Sequence, residues 1–416
     1  MNIFIHHDRS HLPDDTELVI YSEAIVTKPD LPKEEQLLAN PELKKAMELG
    51  IRNLSYPEAL AEIVNSKKCI AITGSHGKST TTSMAAWMLA WSPVWGSAII
   101  GTQVPQLGNS NFHYEDSPYI AIEACEYKRS FLRYFPFITV ITNIDLDHLD
   151  YYKNLEDYIS AFQSIVDQTS GYILVSEWDV NAWKLRIDPL KRMVVGKNGI
   201  RYSRAGELNE DGKIHSIIEE VILPIPIMNL LVPWDHILQD AYLAYAVGRL
   251  VWLDEKWICQ KLESYSGAWR RSEVVWVTEN GNMLMSDYGH HPNELKPTLA
   301  AIKKKYPEKH LCVVFQPHQY SRTRELLPEF STAFDSADSL IISDIYFSRD
   351  KKEDVDWMNM ERLIKTLQVR YPFVIDGEWL QKTLEKIEKF DQEHPWNAII
   401  LLQGAGNIDE LRYNLL

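Results

Sequence analysis

The sequence predicts an α/β protein: a P-loop domain with a mostly parallel sheet, followed by a second α/β series. Two observations predict it. Between about residues 67 and 264, and again over 265–416, short apolar strands alternate with helical patterns, which is the signature of βαβ units. Between the first strong strand and its helix stands Ala71-Ile-Thr-Gly-Ser-His-Gly-Lys-Ser-Thr80. In that loop Gly74 and Gly77 let backbone N–H groups approach a polyphosphate. Ser75, His76 and Thr80 complete the cradle, Lys78 offers a cation to the outer phosphates, and the Ser79 hydroxyl suits Mg²⁺. The general Walker pattern has four residues between its glycines, and this loop has two.

The elements follow in order. Residues 1–66 hold a strand at 17–21, a Pro/Lys/Glu-rich loop and helical patterns at 41–49 and 56–64, too little for a stable domain alone. Within 67–264 a strand at 68–73 leads through the loop into a helix at 80–89. Further apolar strands fall at 119–122, 137–142 and 171–175. Within 265–416 strands fall at 311–315, 339–343 and 398–402. A chain of 416 residues exceeds one ordinary core, so these three blocks are read as three domains.

Composition narrows the function. A formal net charge of −15 argues against a duplex-DNA binder, which needs a basic face. Four cysteines (Cys69, Cys125, Cys259, Cys312) lack CxxC or Cys/His spacing, so no zinc or disulfide framework is expected. No targeting segment and no run of about 18 apolar residues occurs, so the expected place is the cytoplasm, away from membrane. Oligomeric state leaves no signal in the sequence.

Five further segments put polar residues at strand ends, where open α/β sheets hold ligands. They are Ala121-Ile-Glu-Ala-Cys-Glu-Tyr127, Thr142-Asn-Ile-Asp-Leu-Asp-His-Leu-Asp150, Gly267-Ala-Trp-Arg-Arg-Ser-Glu273, Ser286-Asp-Tyr-Gly-His-His-Pro-Asn-Glu294 and Phe315-Gln-Pro-His-Gln-Tyr-Ser-Arg-Thr323. Together with residues 73–82 they closely resemble the Mur ligases, from about Glu17 to Gln403-Gly-Ala-Gly-Asn407. Within that family the last two segments are most similar to the branch that joins L-alanine to UDP-N-acetylmuramate. The resemblance implies a Rossmann-like C-terminal domain and a partial Rossmann-like N-terminal one. It implies ATP and Mg²⁺, and attack of the lactyl carboxylate on the γ-phosphate to give an acyl phosphate that the amine of L-alanine then opens. In that scheme Lys78 serves the phosphates, Ser79 and Glu123 hold one Mg²⁺, and His148 helps hold a second. Arg271 reaches the nucleotide from the C-terminal domain, and Asp287 faces the nucleotide or the seam between domains. His318 and Arg322 face the amino acid and the acyl phosphate. Two rivals stay open: a ligase that adds a ready-made peptide to the same nucleotide sugar, and a non-catalytic nucleotide-binding remnant.

The sequence departs from the family pattern in several places. Cys125 replaces an Asp, and Gln319 replaces an Arg. In Pro233-Trp-Asp-His-Ile-Leu-Gln-Asp240, the adenine-side signature, Ile237 and Asp240 replace two amides. No glycine-rich turn for the UDP moiety precedes Glu17, so the expectation is a fragment or a lineage that binds its substrate differently. There are 13 Trp against 18 Gly, where about 29 Gly would be usual at ~7%. Trp252 follows a helical run at 241–251, where a left-handed residue is wanted. Trp91, Trp234 and Trp276 also stand where the family tends to have glycine. The sequence therefore predicts UGA codons at these positions, read as glycine in the source organism.

Overall fold

The structure is a computed structural model that describes residues 4–22, 25, 32–148, 151–205, 218–231, 235–348 and 350–415. Among these, two large sheets carry the architecture. In spatial order the nine-stranded sheet runs Ile218–Leu223, Gly199–Ala205, Arg192–Gly196, Tyr172–Ser176, Ile138–Ile141, Lys68–Thr73, Tyr119–Glu123, Ser97–Val104 and Ser110–His113. Its middle is parallel, and hairpins close both edges in antiparallel pairing. Strand Lys68–Thr73 lies at the centre with Ile70, Ala71 and Ile72 fully buried. Covering on both faces is why it reads as an unbroken apolar run rather than an alternating one. Its neighbours Tyr119–Glu123 and Ile138–Ile141 run parallel to it, so three strands deliver their C-terminal ends to one place.

The second sheet is six-stranded, in the order Glu273–Val277, Met283–Asp287, Ala398–Gln403, His310–Phe315, Ser339–Ser343, Val374–Glu378. Only its first pair is antiparallel. A two-stranded parallel pair, Leu18–Tyr21 with Arg52–Ser55, stands near the start of the chain. It packs with helices Lys33–Ala39 and Pro41–Glu48 over a small core of Tyr21, Leu37 and Leu43. Strand Arg52–Ser55 escaped the sequence reading because Arg52-Asn-Leu-Ser55 holds a single apolar residue.

The tryptophan expectation has a backbone counterpart. Trp91 and Trp252 have φ of 53° and 64°, the left-handed region. Trp252 sits at the C′ position of helix Asp235–Leu250, where the Leu253 N–H donates to Gly248 O at 3.0 Å and closes the helix end. The side chain there is 89% exposed, so packing does not explain it. Trp95 and Trp396, which sequence reading passed over, are also left-handed at φ 51° and 62°. Trp276 lies in strand Glu273–Val277 beside a register shift and does not have positive φ, so glycine has no such backbone reason there. Trp234 lies outside the described residues.

Candidate active site

The phosphate loop is built from close approach. Gly74 has φ 134°, and a Cβ there would lie 2.1 Å from Thr142 Oγ1. Gly77 has φ 79° and begins helix Lys78–Leu89, two residues earlier than the sequence suggested. The segment after strand Ile138–Ile141 grips the loop from the side. Asn143 accepts from the His76 N–H at 3.0 Å and donates to His76 O at 2.9 Å. Ser75 donates its hydroxyl to Asp145 O at 2.6 Å.

Lys78 Nζ donates to Ser75 O at 3.1 Å and meets Glu126 at 3.0 Å. Burial opposes the charge on Lys78, but the carboxylate of Glu126 more than offsets it and holds the ammonium above its ordinary value. Burial likewise opposes ionisation of Glu126. Lys78 and His148 overcome it, leaving that carboxyl below the usual range. Sequence reading passed over Glu126 as a site residue, although it quoted the segment that holds it. The Ser79 hydroxyl donates to Glu123 Oε1 at 2.9 Å and accepts from Arg271 at 2.9 Å. Glu123 Oε2 accepts from the Gly101 N–H at 2.8 Å. His148, by contrast, meets Glu126 Oε1 at 3.2 Å.

A cavity of about 300 Å³ brings these groups together. Lys78, Ser79, Glu123 and His148 from the P-loop side face Arg271, His318 and Arg322 across it. Arg322 donates to Asp147 Oδ1 at 2.8 Å in a pair that links the two sheets' loops. Burial works against the Asp147 carboxylate, and Arg322, with His148 beside it, holds it ionised well below the usual range. His318 stacks on Tyr346 with ring centroids 5.5 Å apart. Cys125 opens on the same cavity. Gln319 also lines it, with its amide tied down as Nε2 donates to Ser348 O at 2.9 Å.

A second cavity of about 270 Å³ adjoins the first along His76, Gly77 and Arg271. Thr80, Asp240 and Asp287 also line it, with Trp178, Ile237 and Leu243 as an apolar wall. Both oxygens of Asp287 are engaged within its own loops. Oδ2 accepts from the Ser272 N–H at 2.7 Å, and Oδ1 accepts from the Gly289 N–H and from Gln403. Asp287 thus shapes the cavity wall. Another brace is Glu294, which sequence reading also passed over. It accepts from the His290 and His291 N–H groups at 2.8 and 3.0 Å and holds His76 Nδ1 at 3.1 Å across the seam.

A phosphate loop on one sheet, facing cations from the other across a shared cavity, is an arrangement that also marks a family by sequence. Residues 72–215 match the Mur ligase middle domain, and residues 270–406 match the Mur ligase, glutamate ligase domain. The UDP-N-acetylmuramate–L-alanine ligase of Alkaliphilus metalliredigens is 32% identical, over 98% of this chain and 85% of its own length. That of Caldicellulosiruptor bescii is 33% identical, over 99% of this chain and 87% of its own. The chain belongs to the Mur ligase family. The fold agrees with solved Mur ligases. UDP-N-acetylmuramate-alanine ligase MurC from Thermotoga maritima superposes with a TM-score of 0.72 at 22% identity, covering 99% of this chain and 87% of that one. The murein peptide ligase of Psychrobacter arcticus gives 0.59 at 19% identity, covering 98% and 86%.

Proposed function

We propose that this Mur ligase joins L-alanine to UDP-N-acetylmuramate at the expense of ATP, in peptidoglycan precursor synthesis. What carries the reading is the cavity in which Lys78, Ser79 and Glu123 face Arg271, His318 and Arg322. The first step brings an anionic carboxylate onto an anionic phosphate. The barrier is therefore mostly charge repulsion and misalignment, and fixed cations with in-line positioning lower it. Lys78, held by Glu126 at the loop mouth, meets the β/γ-phosphates as charge moves onto the bridging oxygen. Arg271 adds a second cation from the opposite side. Arg322, fixed by Asp147, and His318 bind on the acyl side, where the amine of L-alanine attacks the acyl phosphate and phosphate leaves.

The donor set suits Mg²⁺. Ser79 and Glu123 are hard oxygen donors, and among the described residues no cluster of three His, Cys, Asp or Glu could hold a metal alone. A site completed by phosphate oxygens and water is the usual habit of this ion. Mg²⁺ bound there would neutralise phosphate charge, with Ser79 and Glu123 holding it and His148 supporting a second ion.

Phosphate release should depend on UDP-N-acetylmuramate and L-alanine together. Presenting L-alanine and a ready-made tripeptide in parallel separates this reading from the peptide-recycling one, and faster turnover of that peptide would reverse it. Lys78→Ala should abolish release. Retained turnover in that variant would refute the site.

A further inference from the structure

A third cavity, of about 700 Å³, lies at the other end of the nine-stranded sheet. Three of its lining residues, Lys68, Tyr119 and Tyr172, are the first residues of parallel strands, and Phe137 immediately precedes strand Ile138–Ile141. The phosphate loop leaves the last residue of strand Lys68–Thr73, so the length of that strand, roughly 17 Å, separates the two sites. Strands Arg192–Gly196 and Gly199–Ala205 add an apolar wall with Met193 and Ile200. Trp252 stands at the mouth and is 89% exposed, so the walls do not depend on it.

The lining says what the cavity would hold. Tyr119, Phe137, Tyr172 and Tyr202 give it flat aromatic sides, and a space of this size with such sides suits the body of a small aromatic molecule. Among the described residues, the hydroxyls of the three tyrosines make no hydrogen bond within the protein, which leaves them to water or a ligand. The charge is of one sign. Lys68, Arg204 and Arg249 line the cavity, and among the described residues no Asp or Glu does, in a chain of net charge −15. Arg249 is held by Glu255 at 2.9 Å. Lys68, by contrast, forms no ion pair among the described residues. Its ammonium rests over the rings of Tyr119 and Phe137, 5.5 and 5.3 Å from their centroids. A cation at the edge of two rings can meet an anionic head while the rings meet the body attached to it.

We propose that this cavity binds a small anionic ligand with a flat aromatic body, its carboxylate or phosphate on Lys68 and its ring against the aromatic walls. The site is separate from the cavities around the phosphate loop. Its floor is the start of the same strands whose far ends carry that loop, Glu123 and the segment holding Asn143. A bound ligand therefore touches the frame of the reaction site without entering it.

The test is fluorescence titration of the full chain with anilinonaphthalene sulfonate, an aromatic anion, with and without saturating MgADP. The wild type should bind one equivalent saturably, with the same affinity in both conditions. Lys68→Glu should weaken that binding about tenfold or more. Ser203→Trp, which fills the cavity, should remove it. Two competitors need no variant. Displacement of the probe by naphthoate assigns a carboxylate head, and displacement by naphthyl phosphate assigns a phosphate head. Absence of a saturable equivalent overturns the proposal. So does competition by MgADP, which would put the probe at the phosphate loop. Displacement by neither anion overturns it, as does equal displacement by neutral naphthalene. Wild-type affinity in Lys68→Glu also overturns it.

Discussion

At residue scale the tryptophans in left-handed turns are where the chain works against itself. Thirteen described non-glycine residues have positive φ, and four of them are Trp: Trp91, Trp95, Trp252 and Trp396. Tryptophan supplies 13 of 416 residues, so random placement would put fewer than one there. A side chain in that region costs about 1–2 kcal/mol because its Cβ crowds the following carbonyl, and glycine escapes the cost. Trp252→Gly should therefore raise the midpoint of chemical unfolding, by about 1 kcal/mol in stability. Trp257→Gly, inside helix Glu255–Glu263, should lower it. Equal effects at the two positions would remove the backbone argument. Trp252 was legible because a helical run ended on it, and a helix end asks for a left-handed residue. Trp95 and Trp396 sit in short turns whose hand depends on how the chain is routed, and no local pattern announces that.

Another residue with a stated charge preference is His290. Burial and the neighbouring Arg322 push it down to about 3, so it is neutral at every physiological pH. In the unfolded chain it takes a proton near 6.5. Folding stability is thus lost as pH falls from about 6.5 toward 3, at up to about 1.4 kcal/mol per pH unit for this one group. His290→Asn should flatten the difference in unfolding free energy over that window relative to wild type. A parallel pair of curves would show that His290 does not titrate this way.

At the scale of elements, the loop 74–77 owes its shape to the segment that follows strand Ile138–Ile141. Asn143 satisfies both the N–H and the C=O of His76. Asn143→Ala leaves both groups short of partners and should cost about 1–3 kcal/mol. Nucleotide affinity should fall with it, because the loop's N–H groups lose their aim. Unchanged ATP affinity in a folded variant would mean the loop holds its shape alone. The loop and its flanking strands were readable from sequence, since an apolar run, a Gly-Lys-Ser turn and a helix are local signals. The clamp was only half readable. Asn143 and Asp147 stood out in a quoted segment, but that one of them holds His76 and the other Arg322 depends on how strands far apart in sequence are ordered in the sheets. Glu126 and Glu294 were missed for the same reason, as each acts on a residue from another element.

At the scale of the molecule, the bonds that cross between the halves of the site include Arg271 to Ser79, Arg322 to Asp147 and His76 to Glu294. The second is a buried ion pair, which is worth little as a pair and expensive to break on one side. Arg322→Ala should cost about 3–5 kcal/mol by leaving the Asp147 carboxylate buried and alone. The joint replacement Arg322→Met with Asp147→Leu should recover most of that stability without restoring phosphate release. Recovery of both would assign Arg322 a structural role only.

The left-handed tryptophans also bear on how the protein can be made. If their codons are UGA, an ordinary expression host meets a stop signal at residue 91 and inserts no amino acid there. The product would keep the phosphate loop and helix Lys78–Leu89 but lack strands Tyr119–Glu123 and Ile138–Ile141, which flank Lys68–Thr73 on either side. A lone apolar strand with both edges bare cannot stay soluble. Insoluble material of roughly one-fifth the expected mass, cured by writing glycine codons at every UGA, would be the observable result.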